Sequence, residues 1–387
     1  MTRDLRIISF SLLLWGIGEG LFIYFQPIYL NQLGANPVQI GWILGLAGLA
    51  LTISHLPAGA LSDIVGRKFI LTLAWFIGTL SGLIMFVADT LPFFLVGIVM
   101  YSFTGFVLSP LQSYITNAKG SWTVTRALTT VQAFISFGSV IGPILGGLLG
   151  EWLGLKVVYG IATGIFLLSS FLILPLHPQP IEEVMEGPRY QNLLKNKALG
   201  GFLLMVFFVL FAMYLSWPLT PVFLQEERGA SVGTLGYLGS LYALGMVVLN
   251  LILGRYNPRL GFIIVQILVG FSVFALWRGS NNLWFSLGYF LAAGFRVTRS
   301  LISAQVETLV KRVELGLAYG FSETINGIVM LIASPIAGLL YDVKPELPYV
   351  AGLISLGVTL LISLRFTPQI DRSRTVFVAS DASNEKE

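Results

Sequence analysis

The chain has 387 residues, 55% of them hydrophobic and only 11% charged, with a net charge of +4. No soluble domain of this length carries so few charges, so the composition excludes soluble enzymes and gives no ground for nucleic-acid binding. There is no cysteine, so disulfides are excluded and a metal site is not expected beside only two histidines.

Apolar runs near or above bilayer-crossing length recur along the chain. They predict twelve helices, at 7–30, 37–59, 69–88, 91–115, 127–149, 155–175, 199–223, 232–253, 261–277, 283–306, 317–340 and 347–366. Runs this continuous are helices, since only helices or closed barrels satisfy their backbones in lipid. The first run lacks a short apolar core and a small-residue cleavage site, so it is expected to be a retained helix. Twelve spans put both termini on one side. With the N-terminus inside, the cytoplasmic segments hold seventeen Lys/Arg and the opposite loops four, Lys156, Arg228, Arg278 and Lys344. That asymmetry predicts both ends in the cytoplasm of a cell-membrane protein.

The longest interruption, "LHPQPIEEVMEGPRYQNLLKNKA" at 176–198, reads as a cytoplasmic linker between an N-terminal bundle (1–175) and a C-terminal bundle (199–366). The last segment, 367–387, is short, polar and expected to be disordered. The halves repeat. "QPIYLNQLGANPVQIGWILG" (26–45) aligns with "TPVFLQEERGASVGTLGYLGS" (220–240) after a one-residue insertion. Gly34, Gly41, Gly59 and Gly66 match Gly229, Gly236, Gly254 and Gly261 at an offset of 195, and Pro143 and Gly146 match Pro335 and Gly338 at 192. Two related six-helix bundles predict a transporter that rocks one half against the other.

The loop after span two reads "GALSDIVGRK" (59–68). Gly59 and Gly66 permit tight turns, Arg67 and Lys68 hold the loop in the cytoplasm, and Asp63 needs a partner there. In this loop the sequence resembles the major facilitator superfamily: Gly59, Leu61, Asp63, Gly66, Arg67 and Lys68 match its signature, while Ile64 stands where a basic residue is usual. The resemblance implies an all-α membrane fold of twelve transmembrane helices in two pseudo-symmetric six-helix bundles. It also implies a cytoplasmic locking role for Asp63 and Arg67. Some members complete a charge relay with an acid at the end of helix four; the matching "YITNAK" has none.

Span five carries "GSVIGPILGGLLG" (138–150), in which Gly138, Gly142, Gly146 and Gly150 share one helix face and Gly147 flanks it. Pro143 removes a backbone donor and can bend the helix. The run resembles the helix-five motif of exporters in the superfamily, drug:proton antiporters among them. Gly16, Gly18 and Gly20 lie inside a span with no strand–helix context, which favours close helix packing over phosphate binding.

Charges within the spans are the remaining signal. At ~1.5 Å rise per residue, Glu19 and Arg296 fall within ~2 Å of the bilayer centre, Arg299 ~7 Å and Glu323 ~8 Å toward the cytoplasm. Intramembrane charges need partners or a water-filled cavity. Arg299 and Glu323 are expected to pair within one half. Glu19 and Arg296 are expected at a central site, with Arg296 either counter-ion to Glu19 or anchor for a substrate anion, and Glu19 a proton carrier. The superfamily's cavity helices are one, four, seven and ten, so helical spacing adds Phe22 and Gln26, then Tyr101, Thr104, Leu108 and Gln112, then Phe211, Tyr214 and Trp217, and finally Tyr289, Ala292 and Ser303. His55 is either a relay group or a packing hydrogen bond.

No nucleotide loop, nucleophile–base pair or metal cluster is legible, so no cofactor is expected and an ion gradient supplies the energy. The expected activity is proton-coupled export of a small organic solute by a monomer. Uptake of an organic anion or sugar, lipid translocation and a non-transporting receptor or scaffold are the alternatives.

Overall fold

The structure is a computed structural model that describes residues 1–179, 195–310 and 315–366, without side chains for 55–64, 125 and 315–317. The expectations for Gly59, Asp63 and His55 as side chains, for most of the linker and for the tail lie outside the described residues. Eleven helices among those described are long and apolar enough to cross a membrane. The remaining predicted span, 283–306, is present as two shorter helices, Asn282–Ala292 and Gly294–Leu309.

In chain order the spans are α1 (Arg3–Phe22 and Gln26–Gln32), α2 (Pro37–Val65), α3 (Arg67–Val87), α4 (Leu91–Phe103 and Leu108–Ala118), α5 (Val124–Leu153) and α6 (Leu155–Ile173). The second series is α7 (Lys197–Tyr214 and Thr220–Glu226), α8 (Val232–Leu253), α9 (Pro258–Arg278), α10 (Asn282–Ala292 and Gly294–Leu309), α11 (Leu315–Val343) and α12 (Leu347–Phe366). Their starts follow local chemistry: the side chains of Thr2, Thr123, Asn196, Ser231 and Asn281 each accept a backbone N–H of the first turn. Single glycines link α2 to α3 and α5 to α6. Gly66 (φ 90°) and Gly154 (φ 83°) hold backbone conformations that other residues rarely adopt.

The interruptions are not scattered. Among the described residues, α1, α4, α7 and α10 are broken in mid-course and the other eight helices are not. In three of the four the cause is proline. Pro27, Pro110 and Pro221 lack a backbone donor and crowd the carbonyl four residues earlier, within or beside each break. In α10 the break falls at Ala293–Gly294, and the piece that follows carries Arg296 and Arg299, which is why it is too polar to read as a span on its own.

Within the first series α1 packs on α5 and α6, and α3 on α4 and α6. Within the second, α9 packs on α10 and α12, and α7 on α11 and α12. The two series meet along two seams, α2 against α11 and α5 against α8. The α5–α8 contacts cluster toward the end opposite the basic loops, and the α2–α11 seam runs from that end to mid-helix, where Gly327 meets Thr52. Gly41 abuts Ser334 and Pro335, and Gly338 abuts Pro37 and Val38; across the other seam Gly236 abuts Pro143 and Gly147. At the same end Asn31 donates to Glu226 (2.6 Å). One end of the molecule is therefore sealed between the two series.

Glycine spacing on α5 divides the labour. Gly138, Gly142 and Gly146 face the α1 backbone at Leu13, Ile17 and Leu21, whereas Pro143 and Gly147 face α8. One face thus holds α5 inside its own series while the neighbouring face meets the other. Gly16, Gly18 and Gly20 serve close packing, against Ile135, Phe166 and Gly142.

Candidate functional site

Arg296 is the feature around which a site can be built. It lies in the first turn of the second piece of α10, and its side chain is exposed. Yet the groups that act on it electrostatically are Tyr242, Tyr24, Glu19 and Tyr214, from α8, α1 and α7. Exposure among neighbours from three other helices means that the guanidinium stands in an internal space between the two series. Tyr242 is the neighbour that acts on it most strongly.

Glu19 faces that space from α1, partly buried, with Tyr101 of α4 beside it. Glu19 and Arg296 act on each other electrostatically, but they form no ion pair within 4.0 Å. The two charges therefore act on each other without a contact ion pair.

Aromatic rings enclose the pair. Tyr24 meets Tyr242 edge-on across the two series (5.8 Å), and Tyr242 stacks on Trp217 (4.8 Å), which leans on Tyr289 (5.3 Å). On the other side Trp15 stacks on Phe166 (4.4 Å) and lies parallel to Tyr101 (6.3 Å). Such walls suit a solute with an apolar or aromatic body and few polar groups.

The remaining sequence candidates fall in different places. Arg299 forms a two-point ion pair with Glu323 of α11, Nε to Oε1 at 3.2 Å and Nη2 to Oε2. Both belong to the second series, so this pair does not join the two. Gln26 is buried at the start of the outer piece of α1, and Gln112 is exposed on the inner piece of α4; neither makes a side-chain hydrogen bond to Glu19 or Arg296. Phe22 does not face the internal space. It is buried among Tyr101, Tyr159 and Phe166. Thr104 is spent within the α4 break, donating to the Tyr101 carbonyl (2.6 Å).

Three residues at the site are not among the candidates named from the sequence: Trp15, although it lies four residues before Glu19 on the same helix face, Tyr24 and Tyr242. Tyr24 sits in the 3-10 turn of α1 (Ile23–Phe25), where counting at 3.6 residues per turn no longer applies. Tyr242 belongs to α8, outside the set of cavity helices that the resemblance implies. The available signal was the density of Tyr and Trp beside the internal glycines.

At the basic end the loop 65–69 borders a cavity of about 320 Å³ whose lining includes Arg67, Lys68, Thr72 and Gln179. Arg67 is buried and donates to Gln179 Oε1 (3.4 Å), and Gln179 Nε2 donates to the Tyr114 carbonyl (2.9 Å). The Tyr114 hydroxyl donates to Asp4 (2.8 Å), which also contacts His177 Nδ1 (2.9 Å).

Comparison with known proteins agrees with this architecture. The model of the Major Facilitator Superfamily matches residues 8–214 and 202–383. An uncharacterised MFS-type transporter of Methanocaldococcus jannaschii is 33% identical over 144 residues, a match spanning 37% of this chain and 37% of that protein. The quinolone resistance protein NorA of Staphylococcus aureus (strain COL) is 21% identical over 380 residues, covering 94% of this chain and 96% of its own. The crystal structure of the nucleoside transporter NupG shares the fold with a TM-score of 0.76 at 16% identity, covering 94% of this chain and 98% of that one. With its apolar helices, its repeated halves and a family match along nearly its whole length, the chain belongs to the major facilitator superfamily and is a multi-pass membrane transporter, not an enzyme.

Proposed function

We propose that this transporter exports small, largely apolar organic solutes from the cell in exchange for protons, by alternating access between halves 1–175 and 199–366. The observation that carries the reading is the pair Glu19 and Arg296: one charge on each half, both facing the internal space, without a contact ion pair. Rocking the halves changes how strongly Arg296 holds Glu19 in its charged form, which links proton occupancy to conformation. A solute that enters between them competes with that link. The helix-five glycines and the likeness to NorA support export.

The bias of Lys and Arg assigns the basic end to the cytoplasm of a cell-membrane protein with both termini inside. On that assignment the sealed end is extracellular, and the described state faces inward. Arg67 and Lys68 then belong to the cytoplasmic gating loop, and the Arg299–Glu323 pair braces α10 against α11 within one half. A monomer suffices for this cycle.

A second reading, uptake of an organic anion together with a proton, is favoured by one observation: the exposed guanidinium of Arg296 has no carboxylate in contact. The two are separated by proton flux in proteoliposomes, with ethidium as a lipophilic cation and p-aminohippurate as an aromatic carboxylate. Ethidium moving against protons, with the flux lost in Glu19→Gln, supports export. Carboxylate moving with protons, with the flux lost in Arg296→Gln, replaces it by anion cotransport. Proton flux unchanged in Glu19→Gln removes Glu19 as the carrier.

A further inference from the structure

The seal between α5 and α8 ends in an arrangement that the glycine packing does not require. Glu151, in the last turn of α5, reaches across to the first turn of α8 in the other half. Its Oε2 accepts the Gly233 N–H (3.0 Å) and lies 3.5 Å from the Ser231 hydroxyl. Ser231 meanwhile accepts the Thr234 N–H (3.1 Å) from within its own helix. Two of the free donors at the start of α8 are therefore satisfied from different halves of the molecule.

Gly233 is part of the device. A methyl group at that position would push the Glu151 carboxylate aside, so glycine leaves this N–H open to the carboxylate in its present position. A carboxylate at a helix N-terminus gains both from the charge-assisted hydrogen bond and from the helix dipole. That gain exists only while the two halves touch here.

We propose that Glu151 is a positioning residue for the transport cycle: a carboxylate cap supplied by one half to a helix of the other, which holds the α5–α8 seam shut and sets how often this end opens. The proposal rests on alternating access. Removing the cap leaves each half intact, because Glu151 is exposed and makes no hydrogen bond within its own half. Separation of the halves returns both the carboxylate and the Gly233 N–H to water, so the latch can release without leaving a buried charge.

Absence of native cysteine makes the test direct. Spin labels on Thr90→Cys and Asn282→Cys report the separation of the halves at the sealed end; labels on Asn117→Cys and Glu307→Cys report the other end. All four residues are exposed. Distances are measured by pulsed electron double resonance on the full chain in lipid nanodiscs. Glu151→Ala is expected to raise the ratio of open to sealed at the 90/282 pair by roughly three- to tenfold, with reciprocal closing at 117/307. Glu151→Gln, which keeps an acceptor and loses the charge, should fall between. Distances in Glu151→Ala that match the parent at both ends overturn the latch. Gly236→Leu, which wedges the same seam through backbone contacts, guards the underlying reading. If it opens one end and closes the other, alternating access stands whatever Glu151 does; if it opens one end alone, alternating access falls.

Discussion

The two seams that join the halves are related by the internal repeat, yet they are finished differently. Gly236 of α8 abuts Pro143 and Gly147 of α5, and Gly41 of α2 abuts Ser334 and Pro335 of α11. Gly147 lies against Val232 and Gly233, and Gly338 against Pro37 and Val38. By contact, then, Gly338 takes the place of Gly147, and Asp342 takes the place of Glu151. The sequence alignment pairs Gly338 with Gly146 instead, one residue away. Asp342 is one methylene shorter than Glu151, Val38 has a side chain where Gly233 has none, and no hydrogen bond joins Asp342 to α2. The start of α2 is capped by its own Asn36 and Gln39 in a reciprocal box (2.8 and 3.0 Å). Repetition supplies the close approach of helices at both seams; the charged fastening is present at one.

The comparison breaks most sharply where both seams depend on the same thing. Gly236→Leu and Gly41→Leu each drive a side chain into the backbone of the facing helix, which cannot yield as a flexible side chain can. Over-packing of this kind costs about 1–3 kcal/mol, enough to shift a near-balanced conformational equilibrium roughly five- to 150-fold at 1.4 kcal/mol per tenfold. Both variants are expected to lose the sealed state by label distances and to lose solute transport. Equal loss from the two would show that the seams contribute equally to closure. Retention of the sealed state in Gly41→Leu alone would make the α5–α8 seam the dominant one.

A smaller effect is expected from copying the fastening to the plain seam. Asp342→Glu lengthens the carboxylate by one methylene, and Val38→Gly clears its path to the α2 backbone. The double variant should lower the open fraction at the 90/282 pair by a few-fold at most, since exposed charge interactions contribute about 1 kcal/mol or less. It should also offset the opening caused by Glu151→Ala. No change in either background would mean that α11 does not bring residue 342 within reach of α2 when sealed.

Much of this was legible in the sequence, and the exceptions have physical causes. Twelve apolar runs and the repeated glycines gave the helices and the two halves, because length and hydrophobicity decide what spans a bilayer. The depths of Arg299 and Glu323 anticipated their pairing. Phe22, three residues past Glu19 on the same unbroken helix, is offset from it by about 60° and packs among Tyr101, Tyr159 and Phe166 instead. Tyr24 and Tyr242 were missed because a face read at 3.6 residues per turn does not survive a break and does not cross between helices. The partners of Arg67 and Glu151 lie 112 and 82 residues away in sequence. No local pattern announces contacts of that range.

The least effect is expected at the fastening nearest the repeat axis. Asn31 and Glu226 close the ends of α1 and α7 with a single hydrogen bond of 2.6 Å, at positions equivalent to within the one-residue insertion. Glu226 is exposed and Asn31 half-buried, so water replaces either partner readily when the other is removed. Asn31→Ala should change the open fraction at the 90/282 pair by less than about threefold, the scale of one neutral-to-charged hydrogen bond in water contact. Combined with Glu151→Ala, the two changes should add, because the groups share no partner. Departure from additivity would mean that the loops at the end of α1 and α7 open together with the α5–α8 seam as one unit. The carboxylate latch would then act on the whole sealed end, and the plain α2–α11 seam would follow it passively.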